Sequence, residues 1–170
     1  MNACPCVTII PMTATAHALV AGAIYRAIPN PVIAIPLAIA SHFIMDAVPH
    51  WDIGTSWRAR SKKMTGVFAI LETVLGITLA YFLFQGKGDS VPLIATIIAS
   101  ELPDWLEAPW YIFFAHQNKH EPGARAGLWE NVTYRIYKAE NTVHAKAAAP
   151  FGIITQIATV AFFLILLRFK

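Results

Sequence analysis

The residues in this chain that could do chemistry are histidines and carboxylates set inside apolar stretches. His42, Asp46 and His50 are spaced i, i+4, i+8. On a helix such residues drift only about 40° per step and share one stripe. Pro49 loosens the last turn, so the stripe is firmest over His42 and Asp46. Glu101 and Asp104 are spaced i, i+3 and share a face, and Asp104 and Glu107 repeat that spacing. His17, Glu72 and His144 are further polar residues within or beside apolar runs. A carboxylate at the centre of a membrane helix costs roughly 2.5–3.5 kcal/mol. Several are tolerable together only if they face a bundle interior, line a wet cavity, pair with each other or hold a cation. Three or more histidines with carboxylates in one partly dry volume is a ligand set for Zn²⁺ or another divalent ion. A bound dication would remove the like-charge repulsion among Asp46, Glu101 and Asp104.

The elements that must position these groups are helices in lipid. The chain has 170 residues, of which 56% are hydrophobic and 14% charged, with a mean hydropathy of +0.53. That composition excludes an ordinary soluble domain and a disordered chain. It predicts an all-α fold, a single membrane-embedded domain over 1–170. The apolar runs place about five transmembrane helices at 12–28, 32–48, 64–84, 91–114 and 147–167, a polytopic helical bundle. A span needs about 20 apolar residues, so the first two are short. Pro29-Asn30-Pro31 joins them as a tight hairpin. The N-terminus lacks a basic region, so the first helix reads as retained and not as a signal peptide. Cys4 and Cys6 flank Pro5 and read as reduced thiols.

The polar segment 115–146 contains Leu128, Trp129, Val132, Ile136 and Val143 at near-helical spacing. It reads equally as an interfacial amphipathic helix or as a loop with one short helix. His116 and His120 fall in its wet, proline- and glycine-containing part and read as solvated. Glu107 with Trp105, Trp110 and Tyr111 reads as an aromatic belt at the interface. Gly76, one turn from Glu72, suggests close helix packing.

With five spans, Arg58, Arg60, Lys62, Lys63, Lys119, Arg125, Arg135, Lys138 and Lys146 share one side with the N-terminus. Arg26, Lys87, Arg168 and Lys170 lie on the other. The excess makes the N-terminal side cytoplasmic. This topology puts almost every odd polar residue in the cytoplasmic leaflet: His17 near the start of its helix, His42 to Asp52 at the end of theirs, Glu72 two turns into the third, Asp104 late in the fourth, His144 just before the fifth. The net charge of +3 then bears on topology and headgroups, and no nucleic-acid partner is expected.

The string Ser41-His42-Phe43-Ile44-Met45-Asp46-Ala47-Val48-Pro49-His50-Trp51-Asp52 and the later Glu101-Leu102-Pro103-Asp104 resemble a family of small bacterial inner-membrane proteins, the membrane-bound metal-dependent hydrolases. The chain is similar to that family in an early histidine on the first helix, in Pro-Asp motifs at helix ends and in a late histidine before a final apolar helix. Where the family's late cluster is usually richer, this chain keeps His144 alone. The resemblance implies a hydrolase in a bacterial or archaeal inner membrane.

On this reading His17, His42, Asp46, His50, Asp104 and His144 would bind one or two divalent metal ions, zinc first and manganese or iron as alternatives. Asp52 and Glu72 would support the ligands from behind. Glu101 and Asp104 would be the catalytic carboxylates, with Glu101 as general base. The site's depth makes a membrane lipid, a phospholipid or lipid phosphate, the expected substrate. The same cluster could instead line a path for a cation or proton, which would require polar residues through the full membrane thickness. A di-iron lipid oxidation site ranks third, since such sites need more than the six histidines present.

Overall fold

Two caps start the helices that frame the site. Asn30 lies outside the helix in an extended conformation and accepts a hydrogen bond from Val32 N–H at 3.0 Å, with Pro31 at the first helical position. This arrangement satisfies an orphan donor and uses proline where its missing N–H costs nothing. Ser61 caps a later helix, its Oγ accepting from Met64 N–H at 3.3 Å. The computed structural model describes residues 14–51, 61–86, 89–115, 121–145, 147 and 150–168. Over them the chain forms α1 (Ala14–Ala27), α2 (Pro31–Asp46), α3 (Lys62–Phe84), α4 (Ser90–Pro109), a π-helical turn (Trp110–Phe114), α5 (Leu128–Val143) and α6 (Phe151–Arg168). The fold is all-α, with no strand among the described residues.

α1 is the axis of the bundle and packs against α2, α3, α4 and α6. Its small residues Ala16, Ala18, Ala21, Gly22 and Ala23 are buried and let neighbours approach closely. Ala34 and Ala38 on α2 form a second small-xxx-small face, and both are fully buried. In lipid, helix association relies on such packing, since tails are as apolar as leucine. Gly76 on α3 obeys the same logic: a Cβ there would lie 2.8 Å from the Thr15 backbone. Val20, Ile24, Met45, Leu93 and Ile97 complete a continuous apolar core.

Two described helices are long and apolar enough to cross a membrane, Lys63–Phe84 and Phe151–Arg168. α1 and α2, of 14 and 16 residues, are shorter than that. Three buried hydroxyls within the helices are satisfied by their own turn. The hydroxyls of Ser41, Thr96 and Ser100 donate to the carbonyls of Ala38, Pro92 and Ile97 at 2.7–2.8 Å.

Three boundaries depart from the sequence expectation. α2 stops at Asp46 and not at 48, because Pro49 drives its predecessor out of the helical region. The last helix begins at Phe151 and not at 147, because the preceding residues pair with the chain after α2. The 91–114 run is helical throughout, but it changes to a π turn after Pro109, where the regular ladder loses a donor. Ala115 N–H then donates to Trp110 O at 2.8 Å. The polar segment resolves in favour of an amphipathic helix: α5 has 16 residues and packs on α4, the π turn and α2.

Candidate metal centre

Four histidines from four places in the chain surround one carboxylate. Asp46, at the last turn of α2, is 3% exposed. Its Oδ1 lies 3.3 Å from His17 Nε2, at the start of α1, and 3.8 Å from His50 Nε2, just beyond Pro49. Its Oδ2 lies 3.1 Å from His42 Nε2, one turn earlier on α2, and 3.9 Å from His144 Nδ1, at the C-cap of α5. The rings pair as well: His17 stacks on His42 with centroids 4.1 Å apart, and His50 lies 4.6 Å from His144. Asp104 of α4 adds a second carboxylate, its Oδ1 3.7 Å from His42 Nε2.

Backbone pairing explains how His50 and His144 arrive. Ala145 N–H donates to Asp46 O at 2.7 Å, His50 N–H to Ala145 O at 3.1 Å, and Ala147 N–H to His50 O at 2.7 Å. This short extended pairing, not a continued helical stripe, aims His50 at Asp46. The His50 ring is fixed by its own neighbour: Nδ1 lies 2.7 Å from Val48 O. A carbonyl only accepts, so Nδ1 carries a proton, and Nε2 is the ring nitrogen that faces Asp46. α6 clamps the same segment. Thr155 Oγ1 donates to Pro49 O. A Cβ on Gly152 would lie 2.5 Å from Trp51 N and 2.9 Å from the His50 carbonyl carbon. Gly152→Val is therefore expected to push α6 off the His50 segment and cost about 1–3 kcal/mol, the usual scale of overpacking. Thermal unfolding of the detergent-solubilised protein would register it as a lowered Tm.

A cavity of about 190 Å³ opens beside this cluster. His17, Asp46, His50, Asp104 and His144 line it, with Glu72 of α3 and Glu107 of α4. Ala69, Ile70 and Ile112 make part of its wall apolar. The structure thus brings together His17, His42, Asp46, His50, Asp104, His144 and Glu72. Glu101 differs: it is 2% exposed, does not line the cavity, and its Oε2 is buried with no hydrogen-bond partner. Its Oε1 is 3.5 Å from Ser100 Oγ. Asp52, His116, His120, Cys4 and Cys6 lie outside the described residues.

Glu107 is not part of an exposed belt. It is 8% exposed and faces the cavity, and Trp110 is fully buried. The cause is α5, which covers this stretch: Trp110 contacts Tyr134 and Tyr137, and Tyr111 meets Tyr137 edge-on with centroids 5.6 Å apart. Trp105 remains partly exposed and donates from Nε1 to Thr73 Oγ1 at 3.2 Å. Glu140 on α5 is a further addition. Burial raises its carboxyl above the ordinary range, opposed by the attraction of His42 and His144. Its signal in sequence was only that of a polar helix face.

The donor set fits a cation. Ion-paired hydrogen bonds run at about 2.7–2.9 Å, whereas two ligands of one tetrahedral zinc lie about 3.4 Å apart. The His–Asp46 separations of 3.1–3.9 Å bracket the second value. His42 Nε2, which faces Asp46, is buried with no hydrogen-bond partner. His17, His42 and Asp46 form one group that could hold a metal ion, and Asp46, His50 and His144 form another. Comparison with protein-family models, with curated proteins and with solved structures finds no match for the chain.

Proposed function

We propose that the chain is a metal-dependent hydrolase embedded in a bacterial or archaeal inner membrane and acting on an amphiphile, a phospholipid or lipid phosphate. The observation that carries this reading is the convergence of His17, His42, His50 and His144 on Asp46 at the wall of a cavity that also bears Asp104, Glu72 and Glu107. Zinc is the first choice of ion on ligand type, with manganese or iron as alternatives. When bound, such an ion acidifies water toward neutral pH and polarises a phosphoryl or carbonyl oxygen. The chain's own groups do the rest. Asp104 and the four histidines hold and orient the centre. Asp104, 42% exposed along its side chain, faces the cavity and can take a proton from water there. Glu101 lies one turn earlier on α4, buried away from the cavity. The apolar wall from α3 and α4 suits an acyl chain.

The five-span arrangement, with the N-terminus and site on the cytoplasmic side, belongs to this reading. It is supported by the apolar side chains that α3 and α6 leave exposed, among them Leu71, Leu75, Leu79, Ile154 and Ile157. Patches of that extent need lipid or a partner to cover them. Transport of a cation is the alternative, and the apolar core of Val20, Ile24, Leu93 and Ile97 counts against it by sealing the other half of the bundle.

The test is turnover by the purified chain in mixed micelles, with phosphatidic acid and phosphatidylcholine as substrates and Zn²⁺ or Mn²⁺ supplied. Release of phosphate or headgroup is expected, and Asp104→Asn should lower it about 10²–10⁴-fold, the scale of a lost proton acceptor. Saturable metal flux into vesicles with no lipid turnover would replace this reading with transport.

A further inference from the structure

Resting on the metal-centre reading above, we infer that the centre holds two divalent cations, one between His17 and His42 and one between His50 and His144, with Asp46 bridging them. The donor atoms fall into two groups, His17/His42/Asp46 and Asp46/His50/His144, each with all members within 4.8 Å of one another, and the two do not merge into one. Donors to a single zinc lie at most about 4.2 Å apart, twice a Zn–N bond, so one ion cannot take all four histidines at once. Asp46 is the one member common to both groups. Each of its oxygens faces one histidine of either pair, Oδ1 His17 and His50 and Oδ2 His42 and His144, so the carboxylate stands between the two pairs. The ring pairing follows the same division, His17 with His42 and His50 with His144.

Paired ions a few ångströms apart are a common device for clamping the attacking and leaving oxygens of a phosphoryl group. The reading therefore favours a phosphate ester over a carboxylic ester.

The full-length protein, stripped of metal in detergent micelles and equilibrated with Zn²⁺ by dialysis, is expected to bind two zinc per chain. His17→Ala and His144→Ala should each keep one, and Asp46→Asn should retain neither tightly. Saturation of the wild type at one zinc overturns the two-ion centre while leaving a metal hydrolase standing. Saturation at zero overturns both. Wild-type protein loaded with Mn²⁺ tests the bridge without any variant: a spin-coupled electron paramagnetic resonance spectrum is expected. A simple six-line spectrum of isolated ions at full loading overturns the inference.

Discussion

Asp46→Asn is expected to weaken metal binding by about 10²–10⁴-fold and to abolish lipid hydrolysis while leaving the helices intact. Asp46 is the hub of the cluster, with four histidine nitrogens within 3.9 Å of its two oxygens. Asparagine keeps the shape but offers one carbonyl oxygen and an NH₂ that cannot ligate. Removing one partner from a buried charged set costs about 3–5 kcal/mol, which corresponds to that loss of affinity. The apolar core of Val20, Ile24, Met45 and Ile97 does not depend on the carboxylate. Helicity by circular dichroism should therefore be retained. Zinc competition against a calibrated chelator reads the affinity. If Asp46 served only to pair with protonated histidines, the substitution would alter stability and leave metal affinity where it was.

Stripping the metal is expected to lower the melting temperature by about 10 °C. The ion's donors come from α1, α2, the segment after Pro49 and the end of α5, so an ion joins elements that separate on unfolding. A ligand present at a thousand times its dissociation constant contributes about 4 kcal/mol to the native state. In a chain of this size each kcal/mol moves Tm by about 2–4 °C. Tryptophan fluorescence should follow the transition, since Trp51 adjoins His50 and Trp110 packs against α5. Adding Zn²⁺ back should restore Tm in the wild type and have little effect in Asp46→Asn.

Much of the cluster was legible in the sequence, for identifiable reasons. His42 and Asp46 are one helical turn apart, and that geometry survives any tertiary detail. His17, Glu72, Asp104 and His144 were linked by depth: each sits near the same end of its apolar run, and antiparallel helices bring those ends together. His50 arrived by a different route. Its place on a helical stripe is lost at Pro49, and its approach to Asp46 comes from pairing with Ala145. Backbone pairing between segments almost a hundred residues apart leaves no periodic trace in a sequence. Glu107 was hidden by the π turn and by α5, which together bury a stretch whose composition is that of an exposed belt. Glu140 was hidden because a polar helix face looks the same whether it meets water or a buried centre.

Of the five spans read from the sequence, the structure gives two helices of spanning length and composition. α3 and α6 combine length with apolar composition and stand out in both sequence and structure. α1 and α2 are short, and α4 carries Glu101, Asp104 and Glu107 where an ordinary span would carry none. The features that set them apart from apolar spans are the ones that build the site. Small residues on α1 bring its neighbours close, and Asp104 and Glu107 of α4 line the cavity.

Elemental analysis of the protein purified gently from membranes, without added metal or chelator, tests the account most directly. The wild type should carry a divalent transition metal in at least stoichiometric amount, and His42→Ala and Asp104→Asn should carry less of it while remaining helical. A wild type free of metal, or variants that keep all of it, would contradict the claim that a cation gathers these side chains.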